Sequence, residues 1–194
     1  MSRQKGLSFA ENKKVVSTEL VREIFGTAFF CFAAILLAVV LTVAFGYRIK
    51  CSGSSMEGTL YNGQEVLVDR FTFKLLSPSR GDVVCFYPKG NENANVLIKR
   101  VVGLPGETIE IKDGYVYVDG VRYIESDEFD LIEDAGDAEN KFVLGTDEYF
   151  VLGDNRNNSE DSRTGNIGAV LKDTMIGKAW FKLKDSQGNW GFIK

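Results

Sequence analysis

The chain has 194 residues, 23 lysines and arginines against 27 aspartates and glutamates, a formal net charge of −4, and no histidine. That balance gives no basic footprint for nucleic acid, so none is expected as a partner, and the missing histidine excludes every serine–histidine arrangement. Three cysteines, Cys31, Cys51 and Cys85, are too few for a disulfide framework and show no metal-binding spacing, although Cys51 and Cys85 remain free to pair.

The first 23 residues hold Arg3, Lys5, Lys13, Lys14 and Arg22 against Glu11, Glu19 and Glu23, a net +2 that leaves −6 for the rest. From Ile24 to Tyr47 there follow 24 residues without a charge, apolar on every side. At ~1.5 Å per residue such a helix reaches about 36 Å, enough to cross a hydrocarbon core of about 30 Å with some tilt. The run is longer than the apolar part of a cleaved leader, and no small-x-small site precedes the folded part. Residues 24–47 therefore read as an uncleaved transmembrane signal-anchor helix rather than a buried core helix. Only Arg48 and Lys50 are basic in the next 20 residues. The bias places residues 1–23 in the cytoplasm and 48–194 outside it, on a single-pass anchor in the cell membrane.

Beyond Gly46 the pattern is one of strands. Period-2 or β-branched apolar runs occur at 65–69, 82–87, 96–102, 108–111, 115–118, 149–152 and 176–183. Asp113-Gly114 and Asp119-Gly120 are hairpin signals, because both turn residues accept positive φ. No segment here has helical periodicity over three turns, so the fold class is mostly β, an antiparallel coiled-sheet or barrel-like domain. Phe71-Thr72-Phe73-Lys74-Leu75-Leu76 reads either as an apolar segment that dips into the outer leaflet or as core or strand. The acidic residues of 125–140 predict an exposed, mobile insertion, or a solvated loop with no role.

Three segments carry candidate chemistry. A serine hydroxyl is a weak nucleophile until a base takes its proton. Without histidine, a lysine serves only if its amine is neutral, and burial among apolar groups lowers its pKa toward that state. Lys99 sits in the apolar run Val96–Val102, where alternation puts it on one face with Leu97 and Val101 while Ile98 and Arg100 take the other. The plain alternative is an edge-strand lysine that blocks aggregation. Ser55, eight residues past the apolar run, lies in Ser52-Gly53-Ser54-Ser55, which also reads as a polar linker. The third segment, Gly153 to Arg163, is dense in hydrogen-bonding side chains that anchor a loop and stiffen what lies beside it.

Together these segments resemble bacterial type I signal peptidases, and in particular the short, single-span Gram-positive type. The likeness covers the anchor and residues 47–168. Gly53-Ser54-Ser55-Met56-Glu57-Gly58-Thr59-Leu60 is similar to the family's nucleophile segment. Arg80-Gly81-Asp82-Val83-Val84-Cys85-Phe86 is similar to its next strand. Lys99-Arg100-Val101-Val102-Gly103-Leu104-Pro105-Gly106-Glu107 is similar to its general-base segment, and Gly153 to Arg163 to its last motif. The resemblance implies a membrane-anchored serine endopeptidase that removes signal peptides from exported preproteins after an Ala-x-Ala-like site, through a Ser55/Lys99 dyad and an acyl-enzyme. It implies that Ser159 helps position the lysine amine, that Asp154, Asp161 and Arg163 brace the site, and that the Ser55 backbone N–H serves the oxyanion. Neither metal nor organic cofactor is implied; the partners are preproteins and the lipid bilayer, and a monomer is expected. Two positions depart from the pattern. The family usually has proline where this chain has Gly58, and Gly53 stands where some members supply a hydroxyl. Two other readings were weighed. A self-cleaving Ser/Lys repressor lacks support because there is a span and no DNA-reading helix. An inactive, membrane-anchored binding or assembly module of the same fold is disfavoured because nucleophile and base are both present.

Overall fold

The computed structural model describes residues 18–125, 129–185 and 188–193. Most of the 1–23 segment, and Ser126, Asp127 and Glu128 of the acidic stretch, lie outside the described residues. Helix α1 runs from Thr18 to Phe45 over 28 residues. It starts six residues before the uncharged run, and Tyr47 opens the first strand instead of closing the helix. An 18-residue window within Thr18–Val43 has a mean hydropathy of 2.7, and the helix leaves its large apolar side chains exposed. Gly46 ends it by donating N–H to Thr42 O at 2.8 Å, an approach so close that a Cβ there would collide with the same carbonyl.

Residues 41–194 form a compact unit. In chain order its elements are β1 (Tyr47–Lys50), β2 (Glu65–Asp69), α2 (Phe71–Leu75), β3 (Val83–Phe86), β4 (Leu97–Gly103), β5 (Thr108–Lys112), β6 (Tyr115–Val118) and β7 (Val121–Arg122). There follow β8 (Phe142–Val143), β9 (Glu148–Leu152), β10 (Val170–Leu171), β11 (Met175–Lys182) and β12 (Gly191–Phe192). The larger sheet has the order β1-β2-β11-β3-β4-β9-β10, with β12 beside β11. The smaller has the order β7-β6-β5-β8. All these pairings are antiparallel. Irregular registers between Ala179 and Phe181, Met175 and Gly177, and Val101 and Gly103 let the large sheet curl. The fold is thus mostly β, as the sequence predicts, and the seven expected strands are present to within one residue at each end.

Three apolar clusters hold the unit together. One gathers Ile49, Cys51, Met56, Leu60, Val66, Val68 and Ile98. A second gathers Phe73, Val84, Phe86, Val101, Tyr149 and Val151. The third, under the smaller sheet, gathers Val102, Ile109, Ile111, Val116, Phe150 and Leu152. Each such side chain contributes roughly 1.5–3 kcal/mol on leaving water. Because β4 and β9 send residues into both the second and third clusters, the two sheets share one spine.

Two expectations need correction. The segment Phe71–Leu75 is a short helix and not a strand. Asp69 Oδ1 accepts the Phe71 and Thr72 N–H groups at 3.0 and 2.9 Å, and Phe73 is buried while Phe71, Leu75 and Leu76 are exposed. The described part of the acidic stretch is not a free insertion. Ile132 and Ala138 are buried, Ile132 N donates to Gly114 O, and Asp137 N to Arg163 O. Asp130, Glu133, Asp134, Asp137 and Glu139 are exposed while Ile132 and Ala138 dock, a split that composition averages away.

Both Asp-Gly turns take the expected conformation, with φ of 52° and 79° at Asp113 and Gly114, and 50° and 78° at Asp119 and Gly120. At Gly114 a side chain would also press on Leu131 and the Ile132 carbonyl, at 3.2 and 3.3 Å. Gly114→Val is therefore expected to destabilise the unit by about 1–3 kcal/mol. Thermal unfolding would register this as a fall of several degrees, and an unchanged midpoint would contradict the turn assignment.

Candidate active site

Ser55 stands in a tight turn just past β1. Thr59 N and Leu60 N both donate to Met56 O, at 3.1 and 2.7 Å, and Glu57 N donates to Ser54 O at 3.0 Å. Met56 and Leu60 are fully buried in the first cluster, so the turn is pinned on the side that does not carry the hydroxyl. Gly53 and Gly58 have φ of 86° and 99°, where residues with side chains are strained.

Lys99 lies mid-strand in β4, opposite Val84 of β3, with β9 on the other edge. It is 2% exposed. Its Nζ lies 2.6 Å from Ser55 Oγ, donating to the hydroxyl oxygen. The amine's pKa is lowered from the ordinary lysine value, chiefly because burial penalises the ammonium. Asp161, Cys51 and Glu160 oppose that shift and Arg163 assists it. Burial also raises the Cys51 and Cys85 thiols, so these free cysteines stay protonated.

The segment after β9 closes around this pair. Asn155 N donates to Ser55 O at 3.1 Å, and the Asn155 amide to Ser54 O at 3.1 Å. The Asn158 amide donates to Ser54 Oγ at 2.9 Å. Asp161, fully buried, accepts Gly153 N at 3.0 Å and pairs with Arg163 Nε at 2.8 Å and NH2 at 2.9 Å. Asp154 accepts Arg100 Nε and NH2 at 2.8 and 2.7 Å and Thr59 Oγ1 at 2.5 Å. The Ser159 hydroxyl is buried and has no hydrogen-bond partner among the described residues. A Cβ on Gly153 would strike that hydroxyl and the Ser55 carbonyl. Among the described residues no cluster of acids and cysteines gathers as metal ligands.

All six residues singled out in the sequence thus converge on one region. Ser55 and Lys99 touch. Asp161 and Arg163 form one ion pair, whereas Asp154 pairs with Arg100. The sequence reading passed over Arg100, Thr59, Asn155, Arg156 and Asn158. Arg100 was the legible one: a cation inside a run buried on both faces needs a buried partner.

A sequence profile described as "Signal peptidase, peptidase S26" matches residues 24–184. The chain belongs to that family. Signal peptidase I P of Bacillus subtilis subsp. natto is 36% identical over 152 residues, covering 75% of this chain and 80% of that protein. Signal peptidase I V of Bacillus subtilis is 37% identical over 155 residues, covering 74% of this chain and 89% of that protein. A crystal structure of a signal peptidase I from Enterococcus faecalis is 30% identical and covers 53% of this chain and 97% of that one, with a TM-score of 0.41. Family membership makes the chain a serine-type signal peptidase of a membrane-associated family.

Within this signal peptidase, Gly153 is the tightest steric point. Gly153→Ala pushes on the Ser55 carbonyl from behind. A displacement of about 1 Å lowers turnover on the order of 100-fold, so signal-peptide cleavage is expected to fall by that factor while the fold survives. A rate within threefold of wild type would show that the close approach is slack.

Proposed function

We propose that this chain is a membrane-anchored endopeptidase that cuts exported preproteins after an Ala-x-Ala-like site through a Ser55/Lys99 dyad. The carrying observation is the 2.6 Å contact between Ser55 Oγ and the buried Lys99 amine. The neutral amine takes the Ser55 proton as the oxygen attacks the scissile carbonyl. The Ser55 backbone N–H stabilises the oxyanion. Lys99 returns the proton to the leaving amine, which becomes the N-terminus of the mature protein. The signal peptide stays as an ester on Ser55 until water, deprotonated by the same lysine, releases it. Asp154, Asp161 and Arg163 brace the loop; the resemblance gives Ser159 the orienting of the amine, while its buried hydroxyl has no hydrogen-bond partner among the described residues. One chain supplies every group, so a monomer suffices. The substrate lies extended along a strand edge, and small shallow pockets reject bulky residues by shape.

The tests follow from the base. Cleavage of an Ala-x-Ala preprotein in proteoliposomes is expected to vanish in Ser55→Ala, Lys99→Ala and Lys99→Arg, since guanidinium keeps its proton. Lys99→Met removes a buried amine without losing volume, so it is expected to be inert yet as stable as wild type. The competent lysine is neutral and its pKa is lowered by burial. The rate should therefore rise with pH and level off below the ordinary lysine value of about 10.4. An active Lys99→Arg, or a rise centred above that value, sinks the assignment. If wild type leaves such preproteins intact while folded, the inactive binding-module reading takes its place.

The anchor is proposed at α1, with residues 1–23 cytoplasmic, 24–47 in the bilayer and 48–194 extracytoplasmic. The basic excess ahead of the helix supports that orientation. Trp180 donates its indole N–H to Phe45 O at 3.2 Å, beside exposed Trp190 and Phe192, an aromatic group suited to an interface. Phe71, Leu75 and Leu76 add a second apolar contact. A fragment of residues 47–194 is expected to bind liposomes, and Phe71→Ser/Leu75→Ser/Leu76→Ser to bind at least about tenfold more weakly, since each apolar group contributes roughly 1.5–3 kcal/mol if fully buried. Equal binding by the triple variant would remove this contact.

A further inference from the structure

The Arg156 side chain is 1% exposed, and a guanidinium that buried requires a carboxylate. Within its own segment Asp154 pairs with Arg100, Asp161 pairs with Arg163, and Glu160 is exposed and accepts the Asn166 amide. The partner comes from the acidic stretch: Glu125 accepts both terminal nitrogens of Arg156, at 2.5 and 2.7 Å. From the same stretch, the Phe129 ring lies 4.4 Å from the Arg156 guanidinium carbon and 5.4 Å from that of Arg100. One ring thus serves two cations, each neutralised by its own carboxylate. Phe129 belongs to none of the three apolar clusters, so cation stacking, not core packing, fixes it.

Arg156 is held at its other end as well, where its carbonyl accepts Arg163 NH2 at 2.6 Å. The next residue back is Asn155, whose backbone and side chain hold the Ser55 and Ser54 carbonyls. We infer that Glu125 and Phe129 are positioning residues for the nucleophile, acting through Arg156 on the loop that grips Ser55. The inference rests on Ser55 being that nucleophile. It gives the acidic stretch a role: Asp130, Glu133, Asp134, Asp137 and Glu139 are exposed, while one glutamate and one phenylalanine reach inward to the site.

The experiment compares Glu125→Gln, Phe129→Leu and Phe129→Tyr in the full-length chain. Gln keeps a hydrogen-bond acceptor but loses the charge, Leu keeps apolar volume but loses the ring face, and Tyr keeps the face. The readouts are the rate constant and amplitude of Ser55 acylation by a penem, and kcat and KM on a preprotein. Loss of folded protein lowers the amplitude and leaves the rate constant alone. Mispositioning lowers the rate constant. The expected result is a rate constant and kcat about tenfold lower for Glu125→Gln and Phe129→Leu, with KM unchanged and Phe129→Tyr within twofold of wild type. The inference is overturned if Phe129→Leu acylates as fast as wild type, if Tyr is as slow as Leu, or if only amplitude or KM changes. Should wild type itself escape acylation while Lys99→Met and wild type behave alike, the dyad reading fails first and takes this inference with it.

Discussion

Everything at the site depends on keeping one amine in the interior without a carboxylate of its own. Lys99 lies mid-strand in β4 between β3 and β9 and is 2% exposed. Burial alone disfavours the ammonium, but the carboxylates of Asp161 and Glu160 stand near enough to favour it. Asp161 is the stronger of these influences, and Arg163 pairs with it directly while itself lowering the lysine. Asp154 is likewise occupied by Arg100. The Asp161–Arg163 pair therefore does more than tie loops together, because it offsets carboxylate charge that would otherwise favour the Lys99 ammonium. Removing either arginine would leave a buried carboxylate, which destabilises by about 3–5 kcal/mol, and at Asp161 it would also favour that ammonium.

Geometry depends on the same spine. Ser55 and Lys99 are 44 residues apart, and the loop that closes over them lies about a hundred residues past Ser55. The β4–β9 pairing brings the latter two together, since Arg100 pairs with Leu152 and the loop begins at the next residue. Ser55 is then clamped from two directions. Met56 and Leu60 sink into the first cluster, while from outside Asn155 holds the backbone and Asn158 the Ser54 hydroxyl. Gly153 allows this because the approach leaves no space for a side chain.

The strands were legible because alternation and β-branched runs report burial directly, and the Asp-Gly turns because only a few residue types tolerate their backbone. The site was legible by resemblance far more than by pattern: on their own, Lys99 reads more readily as an edge lysine and Ser55 as a polar linker. What escaped was set by tertiary pairing. Strands β7, β8, β10 and β12 have two residues each, too few for any period. Helix α2 hinges on one aspartate cap. Arg100 was assigned to the face opposite Lys99, but the strand is buried on both faces, so that face holds an ion pair instead of water.

The Gly58 departure shows how the turn can lose proline and stay rigid. Proline holds φ near −65°, whereas Gly58 sits at 99°, so this turn follows a path that proline cannot take. With no ring to stiffen it, order must come from bonds on either side. Met56 O accepts two N–H groups, Thr59 Oγ1 donates to Asp154, and Lys182 Nζ donates to Thr59 O at 2.9 Å. The Asp154 contact matters most, because that carboxylate also holds Arg100 next to Lys99. The Ser55 turn and the Lys99 strand thereby share one anion, and a disturbance of either is felt at the other.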